Sequence, residues 1–317
     1  MAATTDPGRA CLVLHGKAAA RDDVREAVRA VREDGHRVDV RVTWETGDAS
    51  RFAREATEAG YGVVVAGGGD GTVNEVVAGM TERTAPSSSS VLAVLPLGTA
   101  NDLAHACRIP LDPLEALRLA LSGPTAVVDV GHANERCFVN VATGGFGTRL
   151  TVATPSELKK FLGGAAYLLT GLTHFDSVRP EHGRLCGPGF AWEGFFLVLA
   201  VGNGRQAGGG RQLCPEALLD DGLLDVRLLP HVPKQDVPET LRVLLRDGLA
   251  GFRRTIVSAR VPWLEIETNE PLQINLDGEP LTGTRFRFEV LPRRLPMRLP
   301  VACPLLEAAP TARTEPA

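Results

Sequence analysis

The residues best placed to do chemistry lie in a few short stretches. Tyr61 to Met80 reads YGVVVAGGGDGTVNEVVAGM. Gly67, Gly68 and Gly69 remove every side chain at the end of the apolar β-branched run Val63 to Val65, so the backbone can turn sharply and approach a ligand. Thr72 and Glu75 are spaced as a capping box, and Val73, Val76 and Val77 open an apolar helical face. Strand, glycine loop and helix start together put free N–H groups and a positive dipole end at one point, which suits an anion. The same residues would also make a plain tight turn. No lysine follows the glycines, which excludes a Walker-type loop, and the spacing departs from GxGxxG.

A second small-residue turn runs from Pro96 to Asp102 after another apolar run, Val91 to Leu95. Two facing turns of this kind favour a nucleotide cleft, against the alternative of two ordinary βα loops. Asp70 among phosphates would repel them unless a cation intervenes, so its position there implies magnesium nearby. Further along, Asp220-Asp221-Gly222 reads as an acidic turn before a strand, and Asp277-Gly278 as a hairpin turn carrying Glu279.

Elements to position these residues follow from periodicity. Cys11 to Leu14 is a first strand, and a helix from about Asp22 carries Val24, Ala27, Val28 and Val31 on one face, with Gly35 as its stop. Arg37 to Val42 alternates as a second strand ending at Thr43. A helix from about Ala49 to Ala59 leads to the central strand, and another from Pro113 to Leu121 closes the set. Strands alternating with helices predict a doubly wound parallel sheet, whose ligands sit outside the carboxyl ends of the strands. Those ends here are His15-Gly16-Lys17, Thr43, Gly67 to Thr72 and Gly98 to Asp102, all small, polar or glycine-rich.

Beyond about Ala126 the texture changes to short strands at Ala126–Gly131, Arg136–Ala142, Phe195–Val201, Leu223–Leu229, Thr255–Val261, Leu264–Thr268, Leu272–Leu276 and Arg285–Leu291. Helices at about Ser156–Thr173 and Pro238–Leu249 interrupt them. This predicts an antiparallel β-sandwich. The expected division is an α/β domain over 10–125, a sandwich over 126–291, a segment 292–307 returning to the first domain, and disordered tails at 1–9 and 308–317.

Composition narrows the function classes. The chain has 317 residues, 44% hydrophobic and 23% charged, with a formal net charge of −4. That balance gives no global attraction to nucleic acid or anionic lipid. The six cysteines are scattered without a CxxC pair, which fits a reducing cytoplasm and no zinc site. The first residues lack the apolar core of a signal peptide, and no run approaches the ~18 apolar residues of a membrane span. A protein of this composition that acts on lipids would visit the bilayer from the cytoplasmic side.

GGGDGTVNEV followed by PLGTANDLA resembles the catalytic signature of the diacylglycerol kinase/sphingosine kinase superfamily. TGGFGTRLTV, GNGRQAGGGRQLCPEALLDDGLLDV and NLDGEPLTG are similar to the YegS-like bacterial lipid kinases in particular, so the likeness runs over nearly the whole chain apart from the tails. The resemblance implies an ATP-dependent lipid kinase: a nucleotide-binding α/β domain, a β-sandwich, and an active site between them. It implies that Gly69, Asp70, Gly71, Thr72, Val73, Asn74 and Glu75 hold the ATP phosphates, with Thr43 and Thr99 completing the nucleotide site. It implies a magnesium loop in which Asp221 gives a carboxylate and Leu218 and Leu223 give backbone carbonyls, hard oxygens that calcium would also accept. It implies Glu279 as the proton acceptor, with Asp277 as its understudy. The partners it implies are ATP and a glycerolipid, phosphatidylglycerol or diacylglycerol, met transiently at the inner membrane surface in phospholipid metabolism, with a homo-oligomer left open. His15 stands where the family's first-strand turn usually has asparagine. The rival readings are an NAD kinase, which shares the GGDGT turn and the two-domain plan, and a nucleotide-sensing module without chemistry.

Overall fold

The computed structural model describes residues 6–81, 90–145, 180–231 and 256–307. The expected helices at Ser156–Thr173 and Pro238–Leu249 lie outside the described residues. The chain divides into two compact units. The first comprises residues up to Val130, the short stretch Ala217–Gly222, and the chain from Leu291 onward. The second comprises Gly131–Glu216 and Leu223–Val290.

In the first unit, β1 (Asp6–Leu14), β2 (Arg37–Val42), β3 (Tyr61–Gly68) and β4 (Val91–Pro96) form a parallel sheet. Its order is β2-β1-β3-β4. β1 is central and apolar, and every residue of β3 is buried, as expected of strands covered on both faces. Helices α1 (Asp22–Glu33) and α5 (Pro113–Ser122) pack together, as do α2 (Asp48–Glu58) and α3 (Asp70–Thr81). One shared core gathers Val24, Val28 and Val31 of α1, Leu117 of α5, and Leu12, Val65 and Leu95 of the sheet. A short helix, α4 (Asp102–Cys107), follows β4.

Two expectations need correction here. β1 begins at Asp6, so the N-terminal tail expected to reach residue 9 is partly strand. The reason is a flanking network: Arg9 donates to Asp39 Oδ2 (2.8 Å) and to the Tyr61 hydroxyl (2.7 Å), tying β1 to both of its neighbours. Ala217–Gly222, expected inside the sandwich domain, belongs to the first unit. Asp129 N–H donates to Leu219 O (2.5 Å), and Leu219 N–H donates to Leu305 O (2.7 Å). These bonds stitch the segment between β5 (Thr125–Ala133) and the chain after Leu291.

The second unit is an antiparallel β-sandwich. Its strands are β6 (Arg136–Phe138), β7 (Val141–Gly145), β8 (Glu181–Gly187), β9 (Phe190–Gly202), β12 (Leu224–Pro230), β13 (Val257–Val261), β14 (Trp263–Leu276) and β15 (Glu279–Arg298), with a two-residue pair β10 (Gln206–Ala207) and β11 (Arg211–Gln212). β5 and β15 each have residues in both units. β7 pairs with β9 and β14, and β8 pairs with the same two strands further along. Phe138, Leu185, Phe196, Ile266 and Phe288 fill the core, and Phe138 meets Phe288 edge to face with ring centroids 6.0 Å apart. Residues expected as separate strands at Leu264–Thr268 and Leu272–Leu276 are one strand, β14, with an irregularity between Glu267 and Leu272.

Candidate functional site

The sheet order β2-β1-β3-β4 reverses direction between β1 and β3, because the chain first steps from β1 to β2 and then returns to the other side of β1. Ligands of open α/β sheets bind outside the carboxyl ends of the strands at such a switch point. A cleft of about 400 Å³ lies there. Its walls are His15, Lys17, Ala18 and Arg21 after β1, Gly68 at the end of β3 with Gly69, Gly71, Thr72 and Glu75 beyond it, and Leu97, Gly98 and Thr99 after β4.

Glycine is required where the two turns meet. A Cβ on Gly98 would fall 2.4 Å from Gly69 Cα, a backbone contact that cannot give way. The Gly98 turn holds its own shape: Gly98 N–H donates to Asn101 Oδ1 (2.9 Å), and Asn101 Nδ2 donates back to Gly98 O (2.9 Å). Asn101 takes the left-handed backbone this needs, with φ 50°.

The helix after the glycines begins earlier than the capping-box spacing predicts. α3 starts at Asp70, and its first intrahelical bond runs from Val73 N–H to Gly69 O (3.1 Å). Thr72 is therefore inside the first turn and is not the cap. Glu75 reaches outward and accepts from Gly47 N–H (3.1 Å). The amides of Gly71 and Thr72 belong to the first turn, whose N–H groups have no intrahelical acceptor, and both residues line the cleft.

The remaining expected nucleotide residues divide by position. Gly69, Gly71, Thr72, Glu75 and Thr99 line the cleft. Val73 and Asn74 are buried in α3 and do not line it. Asp70 turns away from it: its carboxylate accepts from the N–H groups of Asp102 (3.1 Å) and Leu103 (3.2 Å), capping α4. Burial raises the Asp70 pKa, partly offset by these two donors. Asp70 thus joins the two glycine turns from below. Thr43 stands at the end of β2, where its Oγ1 accepts from Gly16 N–H (3.2 Å) and its own N–H donates to Leu14 O (2.9 Å). It shapes the β1 end of the cleft through Gly16.

Sequence reasoning places Lys17 at the ligand-facing end of the first strand without giving it a role, and passes over Arg21. Lys17 sits within a 3₁₀ turn (Gly16–Ala18) that His15 caps by accepting Lys17 N–H on Nδ1 (3.2 Å), and Arg21 follows it just before α1. Arg21 also pairs with Asp23 at the surface (2.5 Å). The cleft therefore gains side-chain cations from the β1 end, although the glycine loop has no lysine of its own. The signal that could have found them is the switch point: whatever follows β1 must face whatever follows β3.

The acidic loop has its own architecture within the first unit. Asp129 Oδ2 accepts from Gly222 N–H (2.7 Å) and its Oδ1 from Arg293 N–H (2.6 Å), while burial raises its pKa. Asp220 Oδ1 accepts from Glu307 N–H (2.8 Å). Leu218 and Asp221 belong to the same segment, and Leu223 follows directly in the chain. Carboxylates and carbonyls are the hard oxygen donors that magnesium or calcium takes. No cluster of three or more His, Cys, Asp or Glu side chains of metal-binding geometry occurs among the described residues.

Glu279 lies in the second unit, exposed at the start of β15 just after the turn at Asp277-Gly278. Asp277 holds that turn. Its carboxylate accepts from the N–H groups of Val139 (2.6 Å), Asn140 (3.1 Å) and Val141 (3.1 Å). The opposite side of Val139-Asn140 is held by Asn203, which donates from N–H to Asn140 O (2.9 Å) and from Nδ2 to Val139 O (3.0 Å). Asp277 thus spends its carboxylate oxygens on three amides of the turn's neighbours, whereas Glu279 stands exposed.

Comparison with known proteins agrees with this architecture. The diacylglycerol kinase catalytic domain family matches residues 9–133, and the YegS C-terminal NAD kinase beta sandwich-like domain family matches residues 141–298. The chain is 53% identical over 305 residues to a "Probable lipid kinase YegS-like" of Pseudomonas aeruginosa, covering 96% of this chain and 99% of the relative. It is 51% identical to a protein of the same description from Pseudomonas syringae, covering 95% and 97%. A crystal structure of a diacylglycerol kinase from Bacillus anthracis shares the fold, with a TM-score of 0.71 at 23% identity, covering 93% of this chain and 98% of that one. On end-to-end identity to curated relatives and on both domain matches, the chain belongs to the YegS-like lipid kinase family.

Proposed function

We propose that the protein transfers the γ-phosphoryl group of ATP to the free hydroxyl of a glycerolipid, phosphatidylglycerol or diacylglycerol, at a membrane surface. The observation that carries this reading is the cleft at the β1/β3 switch point, floored by glycines and first-turn amides and edged by Lys17 and Arg21. Phosphoryl transfer asks a protein mainly for positioning and charge stabilisation. The amides of Gly71 and Thr72 and the hydroxyls of Thr72 and Thr99 would hold phosphate oxygens. Lys17 and Arg21 would offset their charge.

Glu279 would take the proton of the attacking lipid hydroxyl as the new O–P bond forms, on a turn whose geometry Asp277 fixes. Asp221 and the carbonyls of Leu218 and Leu223 would hold a magnesium or calcium ion, whose chemistry at that loop is to neutralise the local acids and order the backbone. The lipid would be met by surface association; none of the helices among the described residues is long and apolar enough to cross a membrane.

The deciding experiment incubates purified protein with labelled ATP and magnesium across a panel of lipid dispersions and NAD. Label in one lipid and not in NAD supports the reading. In the same assay E279Q should lower turnover about 10²- to 10⁴-fold with ATP binding intact. Turnover retained in E279Q would remove Glu279 from the base role, and label in NAD alone would replace the lipid reading.

A further inference from the structure

The cleft offers glycines, amides and cations, which suit phosphates. The one ring among its lining residues is the small imidazole of His15, which is engaged in capping the Gly16–Ala18 turn. The chain supplies a broad, flat surface one strand beyond the cleft's edge. Trp44, directly after β2 and Thr43, is 95% exposed, the most exposed large apolar side chain among the described residues. A tryptophan left in water forgoes one of the largest burial gains open to any side chain. It is not carried on loose chain either. Trp44 N–H (2.7 Å) and Glu45 N–H (3.1 Å) both donate to Asp48 Oδ2, and Arg51 holds Asp48 Oδ1 at 2.6 Å.

Both ends of this pinned loop are tied to the cleft. Before it, Thr43 Oγ1 accepts from Gly16 N–H, between the cleft residues His15 and Lys17. After it, Gly47 N–H donates to Glu75, itself a cleft residue. The sheet order sets the distance. β2 is two strands from β3, about 10 Å at an inter-strand spacing of about 4.8 Å. β1, whose end carries Lys17 and Arg21, lies between them. A nucleotide whose terminal phosphates rest on the β3 and β4 turns and which runs toward β2 would bring its base to the Trp44 loop.

We propose that Trp44 is the stacking wall for the purine base of the bound nucleotide, with its indole face against the ring. This rests on the nucleotide reading above and adds to it: the phosphates supply charge recognition, and Trp44 supplies recognition of the base. Stacking of a base on an aromatic side chain is tolerant of base identity, so the wall would favour nucleotides over inorganic polyphosphates more than adenine over guanine.

The test titrates ADP and inorganic tripolyphosphate, each with magnesium, into the wild-type protein, W44F and W44A by calorimetry, and follows tryptophan emission in parallel. W44A should bind ADP about ten-fold or more weakly, and W44F nearly as tightly as wild type. All proteins should take tripolyphosphate alike. ADP should quench an emission component present in wild type and missing from W44F. Unchanged ADP affinity in W44A overturns the inference. So does a Trp44 emission that responds to phosphatidylglycerol vesicles and ignores ADP, which would make the residue a bilayer contact. Failure of the wild type to bind either phosphate ligand would bring down the nucleotide reading itself, a result distinct from a normal tripolyphosphate isotherm with an indifferent Trp44.

Discussion

Asp277 and Glu279 are separated by one glycine and have different parts. Asp277 adopts φ 48° and spends its carboxylate on the amides of Val139, Asn140 and Val141. Asp277→Ala strands those donors and should cost about 2–3 kcal/mol in urea unfolding. Asp277→Asn keeps an acceptor and tolerates the left-handed backbone, so it should cost clearly less. Equal losses would mean that the turn does not depend on these bonds. At the glycine turns the argument is steric. Gly98→Ala would put a methyl group 2.4 Å from Gly69 Cα, and only movement of one turn relieves it. A loss of about 1–3 kcal/mol in stability is expected, together with weaker nucleotide binding by calorimetry. An alanine variant with wild-type affinity would show that the turns can part without consequence.

At the scale of elements, the loop between β2 and α2 is held by a charge. Asp48 is lowered from 3.8 to about 2, first by the Trp44 N–H, then by Arg51 and the Glu45 N–H. Because the folded value lies below the ordinary one, this contribution is complete above pH 3.8 and is lost as pH falls through about 2. Anisotropy of the Trp44 emission, taken as wild type minus W44F, should therefore drop over that window, and Asp48→Ala should show the low value already at neutral pH. A flat trace would remove Asp48 as the pin. The elements themselves were largely legible: alternation and helical spacing place β2, α1, α2 and α5 to within a residue or two. Their order in the sheet was not, because period-two patterning says which face is buried and not which strand is the neighbour. Hence Arg21 stayed hidden and Lys17 was placed at a strand end without a role, since only the β1–β3 adjacency brings them to the glycines. Thr72 misled because a capping-box spacing is local, while the helix start was set by Gly69 and by a carboxylate, Asp70, used on another helix. β8, with Gly183, Arg184 and Gly187 in its run, carries too little alternation to be read as a strand.

For the whole molecule, the chain passes between the two units after Val130, Glu216, Gly222 and Val290. That connectivity was the least legible feature of all. The bond from Gly222 to Asp129 spans 93 positions, and no local pattern announces a bond of that range. It also has an energetic consequence. Ala217–Gly222 is anchored in the first unit by Leu219, Asp220 and Gly222, yet both of its chain neighbours belong to the second. β5 and β15 are likewise single strands with residues in both units. Melting one unit releases chain that the other uses, so heat should unfold the protein in one calorimetric transition rather than two. Phe288→Ala removes a fully buried ring from the second unit's core and should lower stability by about 3–5 kcal/mol. ADP at about 100 times its dissociation constant should raise stability by about 2.7 kcal/mol through the first unit's cleft. With coupled units both changes move the same single peak, and ADP partly restores the Phe288→Ala protein. Two peaks, one moved by the substitution and the other by ADP, would show that the shared strands do not bind the units into one cooperative whole.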